Sequence, residues 1–441
     1  MSIEKSKKTF RTILVGILIL SAGVGTGCTP SAPNRQAKTG DQFTTEEQAE
    51  IDKFIAEHGS DVKAVDEKGR TLLYKAVGAS GSEAVVKYLV SQGADVHIKG
   101  KHTLLFYTRN PETIRFLVAQ GVDVNAVVME GAEEFNYYTV LHNVISEKNL
   151  EIAELLVELG ADVNACNGVD DPPLITAAKE NDIDIVKFLV SKGANVHSRD
   201  SGNNVPLHYA ASSGNIELAR FLISKGVDVD AKNNFRYTPL HWAAGKNKNV
   251  AFIEFLVSQG ADVHAKSDIG DTPLIRAARG NNMEAARFLV SQGADVNAKN
   301  SSNGETALRL VLWNKDFVQF LLSEGADVTV VDRDGNTLLH LLADEASRPR
   351  DLAGIYGEMQ NGDFAFAKFL ISKGVDVNAK NKNGRTPLHS AAVWGTRIEV
   401  IRFLISEGAD VNAKDKDGKT PLDLAKDMKR EAVIEYLESI E

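Results

Sequence analysis

Apolar positions along this chain form short helical stripes separated by polar turns, and the alternation returns at a near-constant interval. Residues 271–299 show one full cycle, Asp-Thr-Pro-Leu-Ile-Arg-Ala-Ala-Arg-Gly-Asn-Asn-Met-Glu-Ala-Ala-Arg-Phe-Leu-Val-Ser-Gln-Gly-Ala-Asp-Val-Asn-Ala-Lys. Thr272 suits a helix N-cap, because its hydroxyl can accept from a free backbone N–H. Pro273 stands at the first helical position, where its missing donor costs nothing. Ala277 and Ala278 let a second helix come close, and Gly280, Asn281 and Asn282 break the first into a short turn. Ala285, Phe288 and Leu289, at i, i+3 and i+4, predict one apolar stripe on the second helix. Gly293 supplies the left-handed residue that ends it. Asp295, Val296 and Asn297 then run extended into a turn, where Gly304 and its counterparts in other cycles permit positive φ. The predicted unit is helix, turn, helix, finger-like loop.

The phrase Gly-(Ala/Val/Ser)-(Asp/Asn)-Val closes the unit at Gly59, Gly93, Gly121, Gly160, Gly193, Gly226, Gly260, Gly293, Gly325, Gly374 and Gly408. Seven of the ten steps between these glycines are 32 to 34 residues. A unit of that size cannot bury its own apolar face, so the period predicts a stacked array in which neighbours cover one another. The opening phrase is as regular. Thr238-Pro239-Leu240-His241 and Thr386-Pro387-Leu388-His389 are complete, and the phrases starting at Val205, Thr272 and Thr420 differ at one residue. Thr-Pro-Leu-His-x-Ala at a period of about 33 is the ankyrin signature. The chain resembles the ankyrin-repeat family over roughly residues 43–441. That resemblance implies an all-α repeat solenoid of about eleven helix-turn-helix-loop copies.

Residues 44–57 predict a capping helix, with Thr44 or Thr45 as N-cap, Glu46 and Glu47 in the first turn, and Ile51, Phe54 and Ile55 on one face. Three steps depart from the period. The step from Gly93 to Gly121 is 28 residues, with Asn110-Pro111 at the interhelical turn, which predicts a shortened first helix. The step to Gly160 is 39, its surplus in residues 127–138, which predicts a lengthened finger carrying Met129, Phe135, Tyr137 and Tyr138. The step from Gly325 to Gly374 is 49, its surplus in residues 344–362 between two helices. Insertions in such arrays map to loops on one face, often the binding face; neutral drift in a tolerant loop is the alternative.

At 441 residues and 43% hydrophobic content, an ordinary chain would suggest two or three domains, but a solenoid has one continuous core. Net charge is −10, and no Lys/Arg cluster occurs outside the first residues, which disfavours nucleic acid. Lys5, Lys7, Lys8 and Arg11 precede an apolar run over residues 13–22, too short to span a bilayer comfortably and suited to an export signal. Val24-Gly25-Thr26-Gly27-Cys28 then resembles the lipobox of bacterial lipoproteins, with Gly25 where that family usually has Leu. The resemblance implies a signal peptide over 1–27, lipid attachment at Cys28, a flexible tether over 28–42 and the repeat domain over 43–441. It implies a bacterial cell-envelope location, lipid-anchored at the outer membrane, with Thr29 in place of the Asp that would retain it at the inner one. A plain export signal with an incidental cysteine is the alternative. Cys166 would then have no partner, so no disulfide is expected.

Ten histidines invite a metal or catalytic reading. His142, His208, His241, His340 and His389 all hold the fourth position of the opening phrase, and the resemblance implies that each bonds backbone of the adjoining turn. Equivalent positions in adjacent copies lie roughly 8–10 Å apart, whereas zinc holds each ligand at about 2 Å. His97, His197 and His264 read as turn residues. No His-Glu-x-x-His, Gly-x-Ser-x-Gly or phosphate-binding Gly-rich loop is present, so neither enzyme activity, cofactor nor metal is expected.

What varies along the array is the residue after the opening phrase. Tyr209, Trp242 and Arg276 fill that position in three consecutive copies, and these are residue types enriched in interface hot spots. Phe235, Arg236 and Tyr237 occupy the adjoining finger tip, with Arg236 in place of the turn glycine, a departure from the pattern that leaves the geometry of this turn open. Trp313 extends the same side. The family resemblance implies that finger tips and first helices line a concave side that partners contact, so these seven residues are the expected protein-binding site. The alternative is that Tyr209 and Trp242 pad the core between copies. The function expected is a non-catalytic protein–protein interaction scaffold. Narrower roles that fit are a general envelope scaffold, an immunity protein neutralising a periplasm-directed toxin, or a secreted effector acting on host proteins.

Overall fold

The computed structural model describes residues 43–67, 69–80, 82–97, 103–129, 137–246, 249–347, 363–394 and 397–440. The expected signal peptide and tether, with Cys28, lie outside the described residues, as do Phe135 and residues 348–362 of the two insertions. A single helix, Thr45–His58, opens the described chain, and eleven helix pairs follow it. Thr44 is its N-cap, closing a capping box with Glu47, and Ile51 and Phe54 are buried beneath it. One apolar cluster then runs without interruption from Ile51 to Leu437. The architecture is an all-α repeat solenoid.

The cycle at residues 271–299 folds nearly as its pattern dictates. Thr272 accepts from the Ile275 N–H at 3.3 Å and starts the helix Pro273–Arg279. Asn281 takes a left-handed φ of 49° in the turn, and Asn282 caps the helix Met283–Ser291. At Gly280 an added Cβ would lie 2.1 Å from the Gly245 carbonyl oxygen of the preceding copy, so the glycine permits the close approach of the two turns. The buried face of the second helix is Ala285, Ala286 and Leu289, while Phe288 is only half-buried. The stripe is thus turned slightly from the one the sequence predicts.

Neighbouring copies are joined by three sets of directional bonds. The first is the histidine set. Thr238 N–H donates to His241 Nδ1 at 3.1 Å, which leaves the proton on Nε2, and Nε2 donates to the Asp271 carbonyl of the next finger at 2.9 Å. His142, His208, His340 and His389 repeat this on Asp171, Tyr237, Arg385 and Lys419 at 2.9 to 3.1 Å. Arg309 fills the same slot in its copy, donating to the Asn336 carbonyl at 3.1 Å while pairing with Asp332 at 2.8 Å. The second set uses the Asn of Asp-Val-Asn. Asn297 donates to the Gly325 carbonyl and accepts from the Asp327 N–H, as Asn125, Asn164 and Asn378 do in theirs. Where His97, His197 and His264 replace that Asn, the residue keeps its place in the turn, its N–H donating to Asp95, Asn195 or Asp262. The third set links finger backbones, as in Asp268 N–H to Phe235 carbonyl at 3.0 Å and Ser301 N–H to Ile269 carbonyl at 2.8 Å.

The irregular steps have local causes. Leu104–Tyr107 is a single 3-10 turn, shortened because Asn110 and Pro111 already start the next helix. The first surplus is more ordered than a lengthened loop. Val127–Met129 and Tyr137–Thr139 pair antiparallel as a two-stranded hairpin, the sole sheet among the described residues. The second surplus begins by prolonging the helix Leu338–Ser347.

Burial lowers the pKa of all five bonded histidines, with His208 and His241 pushed down to about 4. Between the unfolded value of about 6.5 and that lowered value, the unfolded chain binds protons that the folded chain refuses. Stability is therefore complete above that window and lost as pH falls through it, by on the order of 3 kcal/mol for each of the two most shifted sites. The thermal midpoint is expected to fall steadily from pH 7 to 4.5. A His208→Gln, His241→Gln variant should start lower at pH 7 and show a visibly flatter profile; an unchanged slope contradicts this assignment.

Candidate protein-binding face

Each first helix buries one side, which decides what the other side can display. In Pro206–Ser213, Pro239–Lys246 and Pro273–Arg279 the flanking pairs Leu207 and His208, Leu240 and His241, Leu274 and Ile275 are at most 1% exposed. The next residue of each helix is left at the rim, and Tyr209, Trp242 and Arg276 are all half-buried there.

The structure brings Tyr209 and Trp242 together edge to face, with ring centroids 5.7 Å apart. The Tyr209 hydroxyl donates to the Asp200 carboxylate, and burial followed by that carboxylate pushes the phenol well above its ordinary range. Lys179 Nζ lies 5.3 Å from the Tyr209 ring and Lys246 Nζ 4.4 Å from the Trp242 ring. Neither lysine was legible as part of the site, although Lys246 stands one helical turn after Trp242. Trp242 also packs against the core, so padding and display are both true of it. Arg276 stacks 5.1 Å above Tyr237, whose hydroxyl donates to Asp271 at 3.4 Å.

The Phe235 finger keeps the regular turn that the sequence leaves open at Arg236. Arg236 itself adopts φ 56°, the conformation that Gly270 takes at 74° one copy later. Its N–H donates to the Asn233 carbonyl at 2.9 Å, as Gly270 donates to Ser267, because the Asn233 side chain already binds the Phe235 and Tyr237 N–H groups. Phe235 is 66% exposed at the tip. Trp313 is 40% exposed, and no ring stacking, hydrogen bond or cation–aromatic contact joins it to the other six among the described residues.

An apolar hollow lies elsewhere, on second helices Lys315–Ser323 and Ala365–Ser372, with a volume of about 250 Å³ and a lining of Val318, Leu322, Phe366 and Phe369 beside Lys315 and Gln319. No acid and base converge in it. Among the described residues no group of three or more His, Cys, Asp or Glu is placed to hold a metal ion.

The family model of ankyrin repeats in groups of three copies matches residues 102–200, 174–267, 207–300, 245–332, 274–348 and 358–440, and the single-repeat model matches 68–101. The chain belongs to the ankyrin-repeat family. A search of curated proteins found no match. Ankyrin repeats are generally non-catalytic scaffolds for protein–protein interaction, and the half-buried rim of this ankyrin array is built in keeping with that.

A side chain with a Cβ in the left-handed region costs about 1–2 kcal/mol, partly offset by the greater unfolded-state freedom of glycine. Replacing Arg236 with Gly is therefore expected to stabilise this ankyrin array by roughly 0.5–1 kcal/mol in urea unfolding. A loss of stability would show that the Arg236 side chain contributes more to the fold than its backbone conformation costs.

Proposed function

We propose that this ankyrin array is a non-catalytic scaffold that holds a protein partner on the concave face of its first helices and fingers. The contact centres on Tyr209, Trp242, Arg276 and the finger tip Phe235, Arg236 and Tyr237, with Trp313 at its edge. The observation that carries the reading is Arg236, a long charged side chain kept in a turn slot that glycine fills more easily, beside the 66% exposed Phe235. Such an arrangement costs stability without serving the core, and strain of that kind gathers where surfaces are used. A rigid array also loses little freedom when it binds. The chain is further proposed to be exported and held in the bacterial envelope by lipid on Cys28, a reading supported by the basic and apolar order of residues 5–22 and by Gly27-Cys28.

Recovery of partners from envelope extract by wild type is expected to fall at least tenfold for Trp242→Ala combined with Arg276→Ala. Equal recovery of every partner would remove the cluster from the binding face. Metabolic labelling with a radiolabelled fatty acid should mark the wild type and not Cys28→Ser; a wild type that takes up no label overturns the anchor.

A further inference from the structure

The charges of the binding face are sorted by depth. Three of its carboxylates turn inward, while Asp268 stays half-exposed at the finger tip. Asp271 has a fully buried side chain facing Arg279 at 3.3 Å, and Asp171, 7% exposed, is held by Lys179 at 2.5 Å. Asp200 is occupied by the Tyr209 hydroxyl and by the backbone and amide of Asn204. The cations turn outward. Lys246 is exposed beside Trp242, and Arg276 lies over Tyr237; neither has a carboxylate within ion-pair distance among the described residues. Arg276 is half-buried, and its Nε is buried without a hydrogen-bond partner among the described residues, so the outer guanidinium nitrogens are the ones left to meet a ligand. Arg236, with 58% of its side chain exposed, comes only within 4.0 Å of Asp268.

A cation over an aromatic face keeps its charge while losing part of its water, so an arriving carboxylate meets a donor that is already partly desolvated. The chain as a whole is acidic, with a net charge of −10, and away from this face would repel an acidic segment. Complementarity confined to one place fixes register as well as affinity. We propose that the partner docks here through an acidic peptide segment, its carboxylates on Lys246, Arg276 and Arg236 and an apolar side chain against Trp242 and Phe235. This rests on the scaffold reading and specifies the chemistry of the segment that the scaffold holds. The three cations are separate points on an acidic molecule and do not form the continuous basic track that a phosphate backbone needs.

The test is selection of phage-displayed random dodecapeptides on the solubilised full-length protein. Enriched peptides should be rich in Asp and Glu with an aromatic or aliphatic residue, and should bind at least tenfold more weakly at 300 mM than at 50 mM salt. They should lose at least tenfold on Lys246→Gln with Arg276→Gln, whose thermal midpoint is checked against wild type. Lys246→Glu with Arg276→Glu should select basic peptides instead. Neutral or basic wild-type peptides that depend on Trp242 overturn the acidic assignment and leave the scaffold reading standing, as does ready displacement of acidic peptides by oligothymidylate. Acidic peptides indifferent to the Gln pair also overturn it. Peptides that are all indifferent to Trp242→Ala sink both readings.

Discussion

No copy in this array can close its own apolar face, so the bonds that join one copy to the next run to residues roughly thirty positions away. The apolar part of that closure is supplied by Leu, Ile and Ala on paired helices, which pack well but do not specify register. Register comes from polar groups placed where only the correct neighbour can meet them. His241 reaching the Asp271 carbonyl is the pattern, and Arg309 reaching Asn336 shows that another buried donor of the right length can stand in for imidazole, while Ile175 and Ile275 fill the slot by packing alone. The last copy supports the same logic, since Asp423 in that slot bonds back to its own Thr420 N–H at 2.9 Å.

Once stacking and register are met by buried residues, the rim position of each first helix is free to vary. Tyr209 and Arg276 use that freedom differently from Leu310 or Leu341, which rest against the core as Trp242 does in part. The internal acids matter here as much as the aromatics. Asp200, Asp171 and Asp271 anchor a phenol, a lysine and an arginine from below, which holds the rim side chains in defined positions. A surface of fixed side chains loses less entropy on binding than one of mobile ones.

The repeat, its helix starts and the turn residues were legible in the sequence because each depends on neighbours a few positions apart. The histidine roles were legible from their position in a family pattern. What the sequence did not disclose were pairings between copies, such as Lys179 with Tyr209 or Arg309 with the Asn336 carbonyl. These depend on the register of the stack, which a linear pattern does not contain. The Arg236 turn stayed open in the sequence for a different reason. A glycine slot signals the conformation that is cheapest there, and the three bonds around Asn233 are enough to impose it on another residue.

The two copies nearest the capping helix carry Tyr74 and Phe106 where five others carry histidine, and there aromatic side chains meet across the copies. Tyr74 lies 4.5 Å from Tyr107, and Phe106 lies 5.7 Å from Tyr138. Contacts between uncharged rings do not respond to protons in the mildly acidic range. Acid would thus act unevenly along the rod, loosening its most uniform stretch while the least uniform end keeps its grip, so that disassembly would start in the middle.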